Sequence, residues 1–297
     1  MSELETRISK LESQYKKKPW DTKIIFSLLD LYEKNAQWEK STDLFKRLAE
    51  LEESEELRSK YYFNLAQILH YELENPKASI EYYNKSLNDD YSNLTSFNNM
   101  VKALHKLEKW RKLERVYKKF IKNTSENYPE EKKLLFRLWK ELGLLYKTKI
   151  KDKKASEKSL NKALEFNSGD TASCKHLSEI YTQTKNKDKA IQIYRKLLDK
   201  NPYDQENLNN LFELYFEQKE IDKALCVAEV IKLTGSKNKT ALNLLHQYRK
   251  KKFKRFGAQQ FSTAWEILSK NSQDDYEIGK IFAFLSLIIP AIRNISL

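Results

Sequence analysis

Apolar side chains recur along this chain at spacings of three and four, in paired segments separated by short polar breaks. One copy runs Cys174, Leu177, Tyr181 and then, after a polar turn, Ala190, Tyr194 and Leu197, with Pro202 closing it. The next runs Leu208, Leu211, Tyr215, then Ala224, Ala228 and Ile231. Leu177 to Leu211 and Tyr181 to Tyr215 are each 34 residues. Spacings of three and four put side chains on one face of a helix, so each copy predicts a pair of helices.

Four earlier copies carry the same pattern with more variation. The first has Ile25, Leu28, Tyr32, Ser41, Phe45 and Leu48; the second has Leu65, Ala66, Leu69, Tyr83 and Ser86. The third has Phe97, Met100, Leu104, Tyr117 and Phe120; the fourth has Trp139, Leu142, Gly143, Tyr146, Leu160 and Ala163. The equivalent positions 28, 65, 100, 142, 177 and 211 lie 37, 35, 42, 35 and 34 residues apart. The excess over 34 falls at Asn75-Pro76 and Lys151-Asp152, each expected to lengthen a hairpin turn, and at 123–129 between copies. One hairpin cannot hide its apolar face alone, so neighbouring hairpins are expected to stack and bury it jointly. Small residues such as Gly143, Ala163, Ala190 and Ala224 allow close helix approach, and the tyrosines fill the space between. Ser92, Asp170 and Asp204 are expected helix N-caps.

This pattern resembles the tetratricopeptide repeat family over residues 21 to about 235. The resemblance implies an all-α, right-handed superhelical solenoid of tandem helix hairpins, with repeats at about 21–57, 58–92, 93–134, 135–169, 170–203 and 204–235. The departures are Leu29, Val101 and Phe212, where the family prefers a small residue, and Leu113 in place of the usual alanine. The third repeat is therefore the least typical.

Residues 1–20 carry Leu4, Ile8, Leu11 and Tyr15 in a stripe, followed by Pro19, and read as a capping helix or the second half of a repeat. Residues 236–297 read as a helical extension. Helices are expected over 240–253, 258–270 and 276–292, the last with Ile278, Ile281, Phe282, Leu285, Ile288 and Ile289 on it. That last helix is apolar nearly all round, which implies burial on more than one side, against the last repeat or against a further domain. Residues 265–292 also resemble the tail that follows such repeats in some large bacterial proteins of unknown activity.

Composition narrows the function. The chain has five glycines and five prolines in 297 residues, too few for a strand-rich fold. The glycines form no phosphate-binding loop or dinucleotide fingerprint, and no nucleophile elbow is present. His70, His105, His176 and His246 are scattered, and neither Cys174 nor Cys226 has a partner at metal-ligand spacing. No cofactor is therefore expected. Two thiols within apolar patterns fit a reducing cytosol, and a Lys-rich, Asn-rich composition is compatible with a bacterial source. No apolar run reaches the roughly 20 residues of a membrane span.

In the tetratricopeptide family the first helix of each repeat lines the concave binding surface. Helical phase then nominates Lys60, Asn64, Gln67, His70, Asn98, Asn99, Lys102, His105, Arg137 and Lys140 in the second to fourth repeats. Glu179, Asn209 and Glu213 follow in the fifth and sixth. One half is basic and amide-rich, the other acidic. Some family members clamp the C-terminal carboxylate of heat-shock chaperones with lysines, asparagines and an arginine. Asn99 and Arg137 match two parts of that clamp, but Phe63, Gln67 and Glu141 stand at the others, so that activity is not expected.

The formal net charge is +13. Residues 101–122 hold nine Lys/Arg against two acids, and 231–261 hold nine and no acid. Arg249, Lys250, Lys251, Lys252, Lys254 and Arg255 form a dense candidate anion-binding patch. The expected function is a non-catalytic, cytoplasmic scaffold for a protein or peptide with acidic segments. The alternatives are RNA binding by basic helical repeats, or service as the non-catalytic arm of a longer multidomain protein.

Overall fold

The computed structural model of the chain describes residues 3–201, 203–233, 235 and 237–248. These form fourteen α-helices and two π-helical turns, with no strand among the described residues. They fall into two compact units, Met1–Asp152 and Lys153–Leu297. Pro202, the basic patch at 249–255 and the helices expected over 258–270 and 276–292 lie outside the described residues, as does the end of the helix expected over 240–253.

The first unit holds α1 (Glu3–Lys17), α2 (Thr22–Lys34), α3 (Trp38–Leu51), α4 (Glu55–Gln67), α5 (Pro76–Asp89), α6 (Leu94–Lys106), α7 (Trp110–Asn127) and α8 (Lys132–Leu145). π-Helical turns Ile68–Glu72 and Tyr146–Ile150 follow α4 and α8. Each helix packs on its chain neighbours. Ile25, Leu28, Leu48, Leu65, Phe97, Leu104 and Leu142 are at most 1% exposed, so the repeated positions are the core. Burying each such side chain contributes about 1.5–3 kcal/mol before entropy is counted. Serines serve as small residues where α4, α5 and α6 meet. Ser59 donates to the Ser86 carbonyl at 2.9 Å, and the Ser86 and Ser96 hydroxyls lie 2.8 Å apart. All three are buried, so their polar atoms must pair with one another rather than with water.

The second unit holds α9 (Lys153–Phe166), α10 (Thr171–Gln183), α11 (Lys187–Lys200), α12 (Gln205–Glu217), α13 (Ile221–Leu233) and α14 (Lys239–Tyr248). Ala163, Ala190, Ala224 and Ala228 are fully buried at its helix contacts. Phe212 stands where the family prefers a small residue; it is also fully buried and stacks on Phe216 with centroids 5.7 Å apart. Tyr146 in the first unit and Tyr181 and Tyr215 in the second are buried on helical segments.

Every hairpin turn carries one non-glycine residue in the left-handed region: Ala36, Glu74, Glu108, Lys151, Lys185 and Lys219, at φ 46–64°. Around Ala36, the Gln37 amide donates to the Tyr32 carbonyl at 2.8 Å and the Ala36 amide to the Glu33 carbonyl at 3.1 Å. The same two bonds recur at Glu108, Lys185 and Lys219. This is the pairing that closes a helix in a Schellman motif, usually at glycine. The other two turns, at Glu74 and Lys151, are one residue longer. The extra residue is taken up by the π-helical turn rather than by a loop: the Leu73 amide reaches the Ile68 carbonyl at 3.0 Å, and the Lys151 amide reaches the Tyr146 carbonyl, each five residues back.

Caps follow simple chemistry. Asp170 and Asp204 accept from the amides of Ser173 and Asn207 at 2.8 and 3.0 Å. Ser92 does not cap α6. Asn93 does, accepting from the Ser96 amide at 2.9 Å, while the Ser92 hydroxyl donates to Asp90 at 2.6 Å.

Candidate functional site

In the first unit the first helices of successive hairpins lie side by side. The Phe26 ring of α2 meets Tyr61 of α4 with centroids 6.3 Å apart. Tyr71, in the turn after α4, donates its hydroxyl to Asn99 of α6 at 3.2 Å. Between α6 and α8 the surfaces separate and leave an open cavity of about 540 Å³. The α6/α7 pair, which carries Val101 and Leu113 in place of small residues, is the least closely packed hairpin of the unit. Val101 lines the cavity and Leu113 is fully buried.

The cavity gathers four of the residues nominated by helical phase: Asn98, Lys102, His105 and Arg137. It adds Glu141 from α8, which the resemblance sets at a clamp position, and Thr148 and Lys149 from the π-helical turn, which sequence phase did not nominate. A uniform 3.6-residue period places residues only while the helix stays α, and the wider turn changes the phase beyond Leu145. Leu144 and Leu145 supply an apolar wall. Tyr117 supplies another and donates its hydroxyl to Glu141 at 2.9 Å. The Lys149 ammonium lies 4.8 Å over the Trp110 ring, and His105 meets the same ring edge-on at 5.3 Å.

The electrostatics favour an anion. Burial, and then the nearby Lys149 charge, hold the His105 imidazole below its usual pKa, with Glu141 opposing. Arg137 is half-buried; its Nε and Nη2 are shut off from solvent and have no hydrogen-bond partner among the described residues. Donors in that state have already lost hydration without gaining a hydrogen bond, so an arriving anion recovers more free energy there than at a solvated cation.

The other nominated residues divide. Lys60 is exposed and pairs with Glu56 at 2.6 Å. Asn64 and Gln67 are half-buried on α4, and the Lys140 ammonium lies 5.4 Å over Phe136 of its own helix. His70 and Asn99 do not line an open face. His70 is 7% exposed, stacked on Tyr71 at 4.4 Å and 3.4 Å from the Tyr83 hydroxyl. Burial, with Lys106 and Lys102 nearby, lowers its pKa. Asn99 is 6% exposed and is taken by Tyr71. Both face inward because Tyr71 folds over them. In the second unit Glu179 and Glu213 are exposed on α10 and α12, and Asn209 accepts from the Asn238 amide nitrogen at 2.9 Å.

No group of three metal-ligating side chains comes together among the described residues, and no helix among them is long and apolar enough to cross a membrane.

The tetratricopeptide repeat family profile matches residues 59–88, which span most of α4 and α5, and residues 173–204, which span most of α10 and α11. The chain carries tetratricopeptide repeats. No curated protein matches it. Among solved structures it is similar to YrrB, described as a tetratricopeptide repeat protein with an unusual peptide-binding site. Identity there is 19%, over 69% of this chain and 97% of that one, with a TM-score of 0.42. The C-terminal part of a tetratricopeptide repeat-containing protein from Cytophaga hutchinsonii is 16% identical over 82% and 94%, with a TM-score of 0.44. A tetratricopeptide repeat protein from Parabacteroides merdae is 17% identical over 89% and 97%, with a TM-score of 0.39.

Proposed function

We propose that this chain is a non-catalytic scaffold that binds a protein or peptide along the face carried by the first helices of its repeats. The observation that supports this most is the cavity in the first unit, where two neighbouring first helices bring Asn98, Lys102, His105 and Arg137 together. Mixed polar and apolar lining of this kind suits a peptide segment, whose backbone needs hydrogen bonds and whose side chains need pockets. The cations favour a partner with acidic segments. Cys174 is a buried free thiol, in keeping with a reducing, cytosolic setting.

The test is site-specific crosslinking. A photo-crosslinker at Lys102 on α6 is expected to capture a partner that one at Lys85 on α5 does not. Capture should be lost when Arg137 and Lys140 are replaced by Glu with helicity unchanged. Equal capture from both positions would refute the assignment. Strong binding of RNA that falls steeply with salt would instead support the nucleic-acid alternative.

A further inference from the structure

We propose that the cavity between α6 and α8 receives a phosphate monoester carried on a side chain of the peptide partner. This rests on the reading of the first-helix face as the binding face, and it assigns that face a ligand chemistry. Three observations support it.

The first is the donor count. Asn98, Lys102, His105, Arg137 and Lys149 can all donate into one cavity, against a single acceptor-only side chain, Glu141; the Thr148 hydroxyl is already given to the Leu144 carbonyl at 2.8 Å. That carboxylate already accepts from the Tyr117 hydroxyl. A site so rich in donors is matched by an acceptor-rich ligand. A phosphate monoester offers three strong acceptor oxygens; a carboxylate offers two oxygens on one plane.

The second is charge. Lys102, Arg137 and Lys149 against Glu141 leave a formal excess of two positive charges around the cavity. A phosphate monoester carries about −1.5 to −2 at neutral pH and balances that excess, whereas a single carboxylate leaves about half of it. The lowered His105 pKa keeps that ring neutral near pH 7, so it adds a donor and no further charge.

The third is Arg137 itself. Its Nε and Nη2 are closed off from solvent and unpaired among the described residues, so much of the desolvation that binding an anion requires is already present in the free protein. Arg137 lines the cavity, and the planar guanidinium is the side chain that binds phosphate most strongly through paired donors. The volume of about 540 Å³ leaves space for the flanking peptide against Val101 and Leu144.

The probe is a fluorescein-labelled nine-residue peptide of Gly, Ser and Val with one central phosphoserine. Its counterparts carry Glu or Ser at that position, and anisotropy is read at low ionic strength with the whole chain. The phosphoserine peptide is expected to bind at least about tenfold more tightly than either counterpart. Arg137→Gln and Lys102→Gln should each weaken it by about tenfold, while Lys77→Gln, an equal change of charge at an exposed position on the second helix α5, should leave it within about twofold. Lys102 is exposed, so its variant tests the site without disturbing the core. The proposal falls if the Glu peptide binds as tightly, if no phosphoserine preference is seen, or if Lys77→Gln costs as much as Arg137→Gln. Partner capture at Lys102 without phosphoserine preference would sink this inference and leave the scaffold reading standing. Phosphopeptide binding with no partner captured at that face would do the reverse.

Discussion

Glu114 joins α7 to the segment after α8, and its protonation should register in the stability of the first unit. Its carboxylate accepts from the Tyr146 hydroxyl at 2.8 Å, from Lys118 at 2.7 Å and from Arg111 at 3.0 Å. Its side chain is 12% exposed. Burial works against the charged form, but the hydrogen bonds from Lys118, Tyr146 and Arg111 outweigh it. They bring the pKa from the usual 4.5 down to about 2. A depressed carboxylate stabilises the fold above its unfolded pKa, and the contribution disappears as pH falls through the folded value.

Taken at face value, that shift corresponds to about 3 kcal/mol at neutral pH. Arg111 and Lys118 are 69% and 58% exposed, so solvent screening reduces the figure, and about 1–3 kcal/mol is expected. Glu114→Gln should therefore destabilise the protein by that amount at pH 7. More than half of the difference should vanish between pH 6 and pH 3, as pH falls through the unfolded pKa of 4.5 toward the folded one near 2. Urea unfolding followed by helical circular dichroism, on both proteins from pH 7 to pH 3, measures it. Urea keeps the ionic strength low, which guanidinium would not. A difference that is constant across that range would refute the reasoning, because it would show that the charge of Glu114 does not contribute. Tyr146→Phe should shrink the pH dependence by removing one of the three donors.

Leu142→Ala should cost about 2–5 kcal/mol in the same assay, since Leu142 is 1% exposed and the truncation leaves a cavity. A loss below about 1 kcal/mol would place Leu142 outside the shared seam. Asp204→Ala should cost about 1 kcal/mol by removing the acceptor for the Asn207 amide; Asp204→Asn should restore most of it in thermal melts. Lys185→Gly should raise stability by up to about 1 kcal/mol, because the left-handed backbone at φ 55° strains any residue with a Cβ. A clear loss of stability in that variant would show that the Lys185 side chain has a role the turn geometry does not reveal.

Burial in the hairpins follows the periodicity closely. Phe45, Leu48, Leu65, Tyr83, Met100, Tyr117, Leu177 and Leu211 are all buried where helical phase puts them. Within one continuous α-helix, angle follows from spacing alone, so a side chain's face is legible before any neighbour is placed. The same logic fails where the helix changes type. At Ile68–Glu72 and Tyr146–Ile150 the backbone widens to π, so a uniform α period does not place His70, Thr148 and Lys149. It also fails where a distant side chain intervenes, as when Tyr71 covers Asn99. The polar breaks mark the hairpin turns, with the longer ones at Asn75-Pro76 and Lys151-Asp152, but not their left-handed residues, since alanine, glutamate and lysine stand where glycine is usual.

The amino-acid order by itself determined that this chain is helical, that its helices come as hairpins with a shared apolar seam, and which side chains belong to that seam. These are properties of local periodicity, set within a few turns of helix. Only the tertiary structure decided which polar residues remain open to a partner, because that depends on how far neighbouring hairpins separate. Between α6 and α8 they part far enough for a cavity, and Arg137 lies half-buried at its wall with two donors unpaired among the described residues. Helix separation follows from side-chain volume at contacts far apart in sequence, and no periodicity within one segment encodes it.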